Sequence, residues 1–133
     1  MLGIVLVAHH DLAEAVKDVA QHVVGPLPEI LCVSVSHQDD IELKRKEIQK
    51  KIKKANQGKG VVLLTDMFGG TPSNLAISLM EEDKVEVISG MNLPMLIKLI
   101  RMRKKSLKEA VGTAAESGRH YIMIASDLLE RKK

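Results

Sequence analysis

The sequence predicts an α/β fold, a mostly parallel sheet with helices on both faces. Short runs rich in Val, Ile and Leu alternate from end to end with segments of helical period. The first run, Gly3 to Ala8, is continuously apolar and reads as a buried strand. Residues able to do chemistry cluster where such runs stop: His9-His10-Asp11 after the first, and Thr65 to Asn74 after Gly60-Val61-Val62-Leu63-Leu64. In an open α/β sheet that edge is where ligands gather.

Each element follows in order. Asp11 and Glu14 have the spacing of a capping box, and Leu12, Val16, Val19 and Val23 recur at helical spacing until Gly25-Pro26 ends the helix. Glu29 to Val35 is the second strand. Asp39 or Asp40 caps a helix with the stripe Ile41, Ile48, Ile52 and Ala55, and Asn56 to Lys59 turns into the third strand. Thr71 reads as a cap with Pro72 at the first helical position, opening a helix that runs to about Glu82. Val85 to Ile88 is the fourth strand, and Ser89 to Pro94 the loop into a helix whose inner face holds Met95, Leu96, Leu99 and Ile100. Ser106 and Glu109 form a second capping box, leading to a helix through Ala115 that Gly118 terminates. Tyr121 to Ile124 is a short apolar strand, and a polar tail starts at Asp127.

The chain of 133 residues fits one domain, 1–133, long enough to bury a core. Hydrophobic residues at 45% and charged residues at 28% are globular proportions. Aromatic residues make up only 2%, Tyr121 and Phe68, so the core is built from aliphatic side chains and Met. That scarcity argues against single-stranded nucleic acid as a partner, because such binders stack bases on aromatic rings. The formal charge of +3 comes largely from 44–59, 101–108 and the tail Arg131-Lys132-Lys133, which read as solvated faces. Cys32 lies in an apolar run and packs as a small hydrophobe, which suits a reducing cytoplasm. Met1 to Ala8 is too short for a secretory core, and no apolar run reaches membrane-spanning length. A soluble, cytoplasmic protein without direct membrane insertion is expected.

If the strands are parallel neighbours, loops 8–11, 65–74 and 89–94 line one crevice. Gly69-Gly70 lets the backbone approach a ligand closely, and the helix start at Thr71 offers unpaired N–H groups to an anion. A glycine pair also serves any tight strand-to-helix turn. His9 is a nucleophile toward phosphorus if one ring nitrogen is free and the other is held as a donor, and Asp66 is the natural holder. Helix-start N–H groups and the Thr71 hydroxyl then meet the phosphoryl oxygens. No metal is expected: beyond His9, His10 and Asp66, the remaining histidines (His22, His37, His120) fall on other elements. No G-x-x-x-x-G-K-[ST] loop, G-x-G-x-x-G turn or nucleophile elbow occurs. Those absences favour a phosphoryl group delivered on a protein over one taken from a nucleotide, with no cofactor.

Three segments carry a resemblance: Gly3-Ile4-Val5-Leu6-Val7-Ala8-His9, Leu63-Leu64-Thr65-Asp66-Met67-Phe68-Gly69-Gly70-Thr71-Pro72-Ser73-Asn74, and Ile88-Ser89-Gly90-Met91-Asn92-Leu93-Pro94-Met95-Leu96. In order and spacing they resemble the EIIA domain of the mannose/sorbose family of the bacterial sugar phosphotransferase system. The resemblance implies a phosphotransferase component in which His9 accepts phosphate from phospho-HPr and passes it to EIIB. Asp66 is then the hydrogen-bonding partner of His9, with Gly69, Gly70 and Thr71 about the phosphate. It also implies a flavodoxin-like doubly wound sheet, parallel strands in order 2-1-3-4. A short antiparallel C-terminal strand, Tyr121 to Ile124, would be exchanged across a homodimer. Two departures stand out: His10 occupies a position where the family usually has Gly, making it an alternate acceptor, and Ser36-His37-Gln38-Asp39-Asp40 replaces the usual glycine-containing turn. These leave open a phosphorylation-dependent regulatory module without a sugar permease, or a phosphocarrier for dihydroxyacetone phosphorylation.

Overall fold

Four aliphatic runs pair side by side as one parallel sheet in the order β2-β1-β3-β4, the order expected. The computed structural model describes residues 1–26 and 30–130. The expected strand start at Glu29 and the tail residues Arg131-Lys132-Lys133 lie outside the described residues. The strands are β1 (Gly3–His9), β2 (Ile30–Val35), β3 (Val61–Thr65) and β4 (Val85–Ser89). The helices are α1 (Leu12–Val24), α2 (Ile41–Ala55), α3 (Thr71–Ile77), α4 (Leu93–Arg101), α5 (Leu107–His120) and α6 (Ala125–Glu130).

Successive strand residues point to opposite faces, so each strand feeds two cores. Ile4, Leu6, Ala8, Val62, Leu64 and Ile88 pack with Ala13 and Ala20 of α1, Leu96 and Leu99 of α4, and Ala110 and Ala114 of α5. Val5, Val7, Leu63 and Val85 pack on the other face with Ile48 and Ala55 of α2 and Leu75 and Ala76 of α3. Register then sets the site: Val7 pairs with Thr65, and Thr65 with Ser89, so β1, β3 and β4 end at one rim.

Several local expectations are corrected. The buried side of α1 is Ala13 and Ala20, whereas Leu12, Val19 and Val23 are 42%, 46% and 59% exposed. Small alanines let the helix lie close to the sheet, a fit that hydrophobic periodicity does not register. Asp11 caps nothing with its side chain, because its backbone (φ −96°, ψ 16°) lacks the extended shape that a cap requires. Asp40 is the cap of α2, accepting from the Leu43 N–H at 3.1 Å. The cap of α3 is Gly70 rather than Thr71, and the helix stops at Ile77, not near Glu82. There the Ser78 hydroxyl donates to the Leu75 carbonyl at 2.7 Å, and the N–H groups of Leu79 and Met80 reach back only three residues. Conversely, α5 runs through Gly118 to His120. Gly118 is a contact point with α4: Asn92 Nδ2 donates to its carbonyl at 3.0 Å, and a Cβ there would lie 3.1 Å from Met95 Cβ.

The C-terminal strand expected at Tyr121 to Ile124 is not formed. The Tyr121 and Ile122 N–H groups bond to carbonyls of α5, at Ser117 and Arg119, while the Ile124 carbonyl opens α6, which occupies the expected polar tail. Backbone groups engaged by two flanking helices leave no ladder to the sheet.

Gly3 stands where the end of α2 meets β1, and a Cβ there would lie 2.5 Å from the Ala55 carbonyl oxygen. Gly3→Ala is expected to destabilise by about 1–3 kcal/mol, since backbone must move to make room. Urea unfolding checks this; wild-type stability would show that α2 lifts off freely.

Candidate functional site

The site grows from the last residue of β1. His9 is still in the strand, and its neighbour across the rim is Asp66, the first residue after β3. One carboxylate oxygen serves both ends of the histidine: Asp66 Oδ2 accepts from the His9 backbone N–H at 2.9 Å and lies 2.8 Å from His9 Nδ1. The other oxygen, Oδ1, accepts from the Met67 N–H at 3.0 Å. An ionised carboxylate only accepts, so the ring proton sits on Nδ1 and the Nε2 lone pair faces outward.

The second wall of the site is the turn into α3. Gly69 has φ +94°, a left-handed conformation suited to glycine, and it swings the chain so that Gly70 comes against the imidazole. A Cβ on Gly70 would stand 3.0 Å from His9 Cε1 and 3.5 Å from Nε2. Thr71 is the exposed first residue of the helix, bordering a recess of about 130 Å³ shared with Ser36, His37 and Lys44. Phe68, 76% exposed, and Met67 project beside the mouth.

Electrostatics favour the charged acid. Burial pulls the Asp66 carboxyl upward, but hydrogen bonds from the His9 N–H, the His9 ring and the Met67 N–H outweigh it and hold the group below its ordinary value of 3.8. His9 remains about one-third exposed while Asp66 is nearly covered, a reachable ring on a sheltered anchor.

His10 is not brought to Asp66. Its φ of +50° is left-handed, its N–H donates to the Val35 carbonyl at 3.0 Å, and its ring meets His37 edge-on with centroids 6.2 Å apart. The imidazole therefore lies on the β2 side of β1, opposite β3. Asp39 closes the turn beyond β2 by accepting from the Ser36 N–H at 2.7 Å. Among the described residues, no group of three or more His, Cys, Asp or Glu side chains is gathered to hold a metal ion.

Sequence reasoning missed a set of hydroxyls behind the rim. Thr65 Oγ1 donates to Ser89 Oγ at 2.8 Å, and Ser73 Oγ lies 3.1 Å from the same oxygen. The signal was present, since Thr65 and Ser89 each end an aliphatic run, but their pairing needs the β3–β4 register.

The sequence model of the EIIA-man family, described as PTS system fructose IIA component, matches residues 3–116. The chain is 25% identical over its full length to the PTS system fructose-specific EIIA component of Bacillus subtilis, covering 92% of that protein. It is 29% identical over 91% of its length to the PTS system mannose-specific EIIAB component of Escherichia coli, of which it spans only 38%. In fold it is similar to a phosphotransferase system component EIIA from Streptococcus agalactiae, with TM-score 0.86, 23% identity, and 96% and 99% of the two chains covered. No described helix is long and apolar enough to cross a membrane.

The lowered pKa of Asp66 has a definite sign. Between its folded value and 3.8 the unfolded chain binds more protons, so this carboxylate contributes full stability above that window and loses it as pH falls through the folded value. Asp39, also lowered, titrates in the same direction, chiefly through the Ser36 N–H, so the informative quantity is a difference between variants. Acid unfolding of Asp66→Asn should show a shallower loss of stability below about pH 4 than wild type. Identical acid limbs would mean that the carboxylate is not held as described.

Proposed function

The chain belongs to the mannose-family EIIA components of the sugar phosphotransferase system, and we propose that it is a phosphohistidine carrier using His9. One observation carries the assignment of the residue: Asp66 holds Nδ1 and leaves Nε2 open beside Gly70. The donor is phospho-HPr, and the acceptor is an EIIB partner, both working in the cytoplasm.

The transfer balances simply. The Nε2 lone pair of His9 attacks phosphorus as the N–P bond of the donor histidine breaks, and the donor ring keeps that electron pair. The Nδ1 proton stays on the hydrogen bond to Asp66, whose negative charge stabilises the ring as it becomes cationic. The phosphoryl oxygens meet the N–H groups of Gly70 and Thr71 and the Thr71 hydroxyl, which supply positioning and charge stabilisation. Reversal onto EIIB uses the same groups. Partial exposure of His9 suits this traffic, because both donor and acceptor are proteins that must reach the nitrogen.

A homodimer is part of the same reading. β4 is an edge strand, and a groove of about 1090 Å³ opens at its start, lined by Val85, Leu107 and Val111 and by the charged Glu82, Asp83 and Lys108 among others. The apolar segment Ile122 to Ile124 stands exposed in a single chain, with Ile122 at 74%. Association with a second copy covers the open edge and the apolar side chains.

Incubation with enzyme I, HPr and phosphoenolpyruvate should give acid-labile, base-stable phosphate in wild type and His10→Ala, and none in His9→Ala. Label persisting in His9→Ala would overturn the assignment. In the same assay Gly70→Ala, whose backbone (φ −89°) accepts alanine, should fold normally yet transfer at least about ten-fold more slowly, because its methyl presses on the imidazole. Sedimentation at micromolar concentration should give a dimer; a stable monomer would contradict the homodimer.

A further inference from the structure

The buried hydroxyls behind the rim sit where an apolar face would be expected. On the α2–α3 side of the sheet, the neighbours are Val5, Val7, Leu63, Leu75 and Ala76, yet Thr65 and Ser73 are both fully buried there. Burying a hydroxyl is unfavourable unless it is bonded, and here Ser89 supplies the bond to both. Apolar contacts tolerate sliding of a helix over a sheet, whereas a hydrogen bond loses strength with small changes in distance and angle. The three oxygens therefore pin one position of α3 against the ends of β3 and β4.

What that position controls is visible on the other side of each residue. Thr65 is followed directly by Asp66, the holder of His9 Nδ1, and its own carbonyl accepts from the Gly90 and Met91 N–H groups, both at 3.0 Å. Ser73 is the third residue of α3, two beyond Thr71, in the turn whose Gly70 lies against the His9 ring. Shifting α3 by a few tenths of an ångström alters the gap at Nε2. We infer that Ser89 is a positioning residue for the His9 site: through Thr65 and Ser73 it sets the distance between the acid-held imidazole and the Gly69-Gly70-Thr71 turn that receives the phosphoryl group. This rests on the phosphocarrier reading and adds to it a part that touches no phosphate.

The test measures phosphotransfer from phospho-HPr with the full chain, separating the saturating rate from the half-saturating HPr concentration. Ser89→Ala should lower the saturating rate about ten-fold and leave the half-saturating concentration within about two-fold, because the docking surface is unchanged. Thr65→Val keeps the shape and removes one link, and should slow transfer about three-fold; Thr65→Ser, which restores the hydroxyl, should recover the rate. These two decide the matter if Ser89→Ala does not fold. Val61→Ala, a buried change at the far end of the strand that carries Thr65, controls for lost stability and should transfer at the wild-type rate. Amide NMR gives a readout independent of phosphorylation: Gly70, Thr71 and the His9 ring should shift in Ser89→Ala or Thr65→Val and not in Val61→Ala. Wild-type rates in the hydroxyl variants, equal slowing in Val61→Ala, or unmoved Gly70 and Thr71 amides would overturn the proposal. If wild type itself takes no phosphate, the carrier reading falls and the NMR arm still decides what Ser89 positions.

Discussion

A single carboxylate oxygen organises the rim where β1 and β3 end. Asp66 Oδ2 binds the backbone N–H of His9 as well as its ring Nδ1, so the acid fixes where the residue stands and which way its lone pair faces. A ring-only bond would leave the strand end free to shift beneath it, and a backbone-only bond would leave the tautomer undecided. Both bonds also draw on the ionised form, which explains why a nearly covered acid keeps a pKa below its ordinary value instead of above it.

That arrangement depends on parallel pairing. In register, β1 and β3 reach the same edge, and the chain leaving each strand turns at once toward a helix. His9 can thus meet a residue 57 positions away without a long loop from either side. Parallel strands covered on both faces must be apolar nearly throughout, and the polar groups that do chemistry are displaced to the ends. Thr65, Asp66 and Ser89 follow this rule, because each begins where an aliphatic run stops.

Most of this was legible because strand ends and glycine turns are local signals. Gly3 to His9, the Asp66-to-Thr71 segment and the strand order could be read from apolar runs, turn residues and the family resemblance. The errors share another cause. Leu12, Val16, Val19 and Val23 have the right period for a buried stripe, yet of these four only Val16 packs on the core, beside Ala13 and Ala20, and steric fit is invisible to periodicity. The early end of α3 depends on a serine returning its hydroxyl to its own helix, and the passage of α5 through Gly118 depends on how near α4 comes. The apolar pattern at Tyr121 to Ile124 was real, but a strand also requires a partner edge, and within one chain those backbone groups are taken by α5 and α6.

The adjacent histidines show how far neighbouring residues can differ once the fold is set. His9 ends the strand with an acid on one side and a glycine turn against its ring. His10 takes the left-handed step by which the chain leaves the sheet, a conformation that disfavours any residue with a Cβ and explains why glycine suits this place. That step carries the second imidazole to the β2 side, where its ring neighbour is His37. Among the described residues no carboxylate is paired with the His10 ring, so it lacks the anchor that Asp66 gives His9. On the carrier reading, nucleophilicity toward phosphorus is therefore a property of the rim position rather than of the residue type, and of the two positions only that of His9 carries the acid.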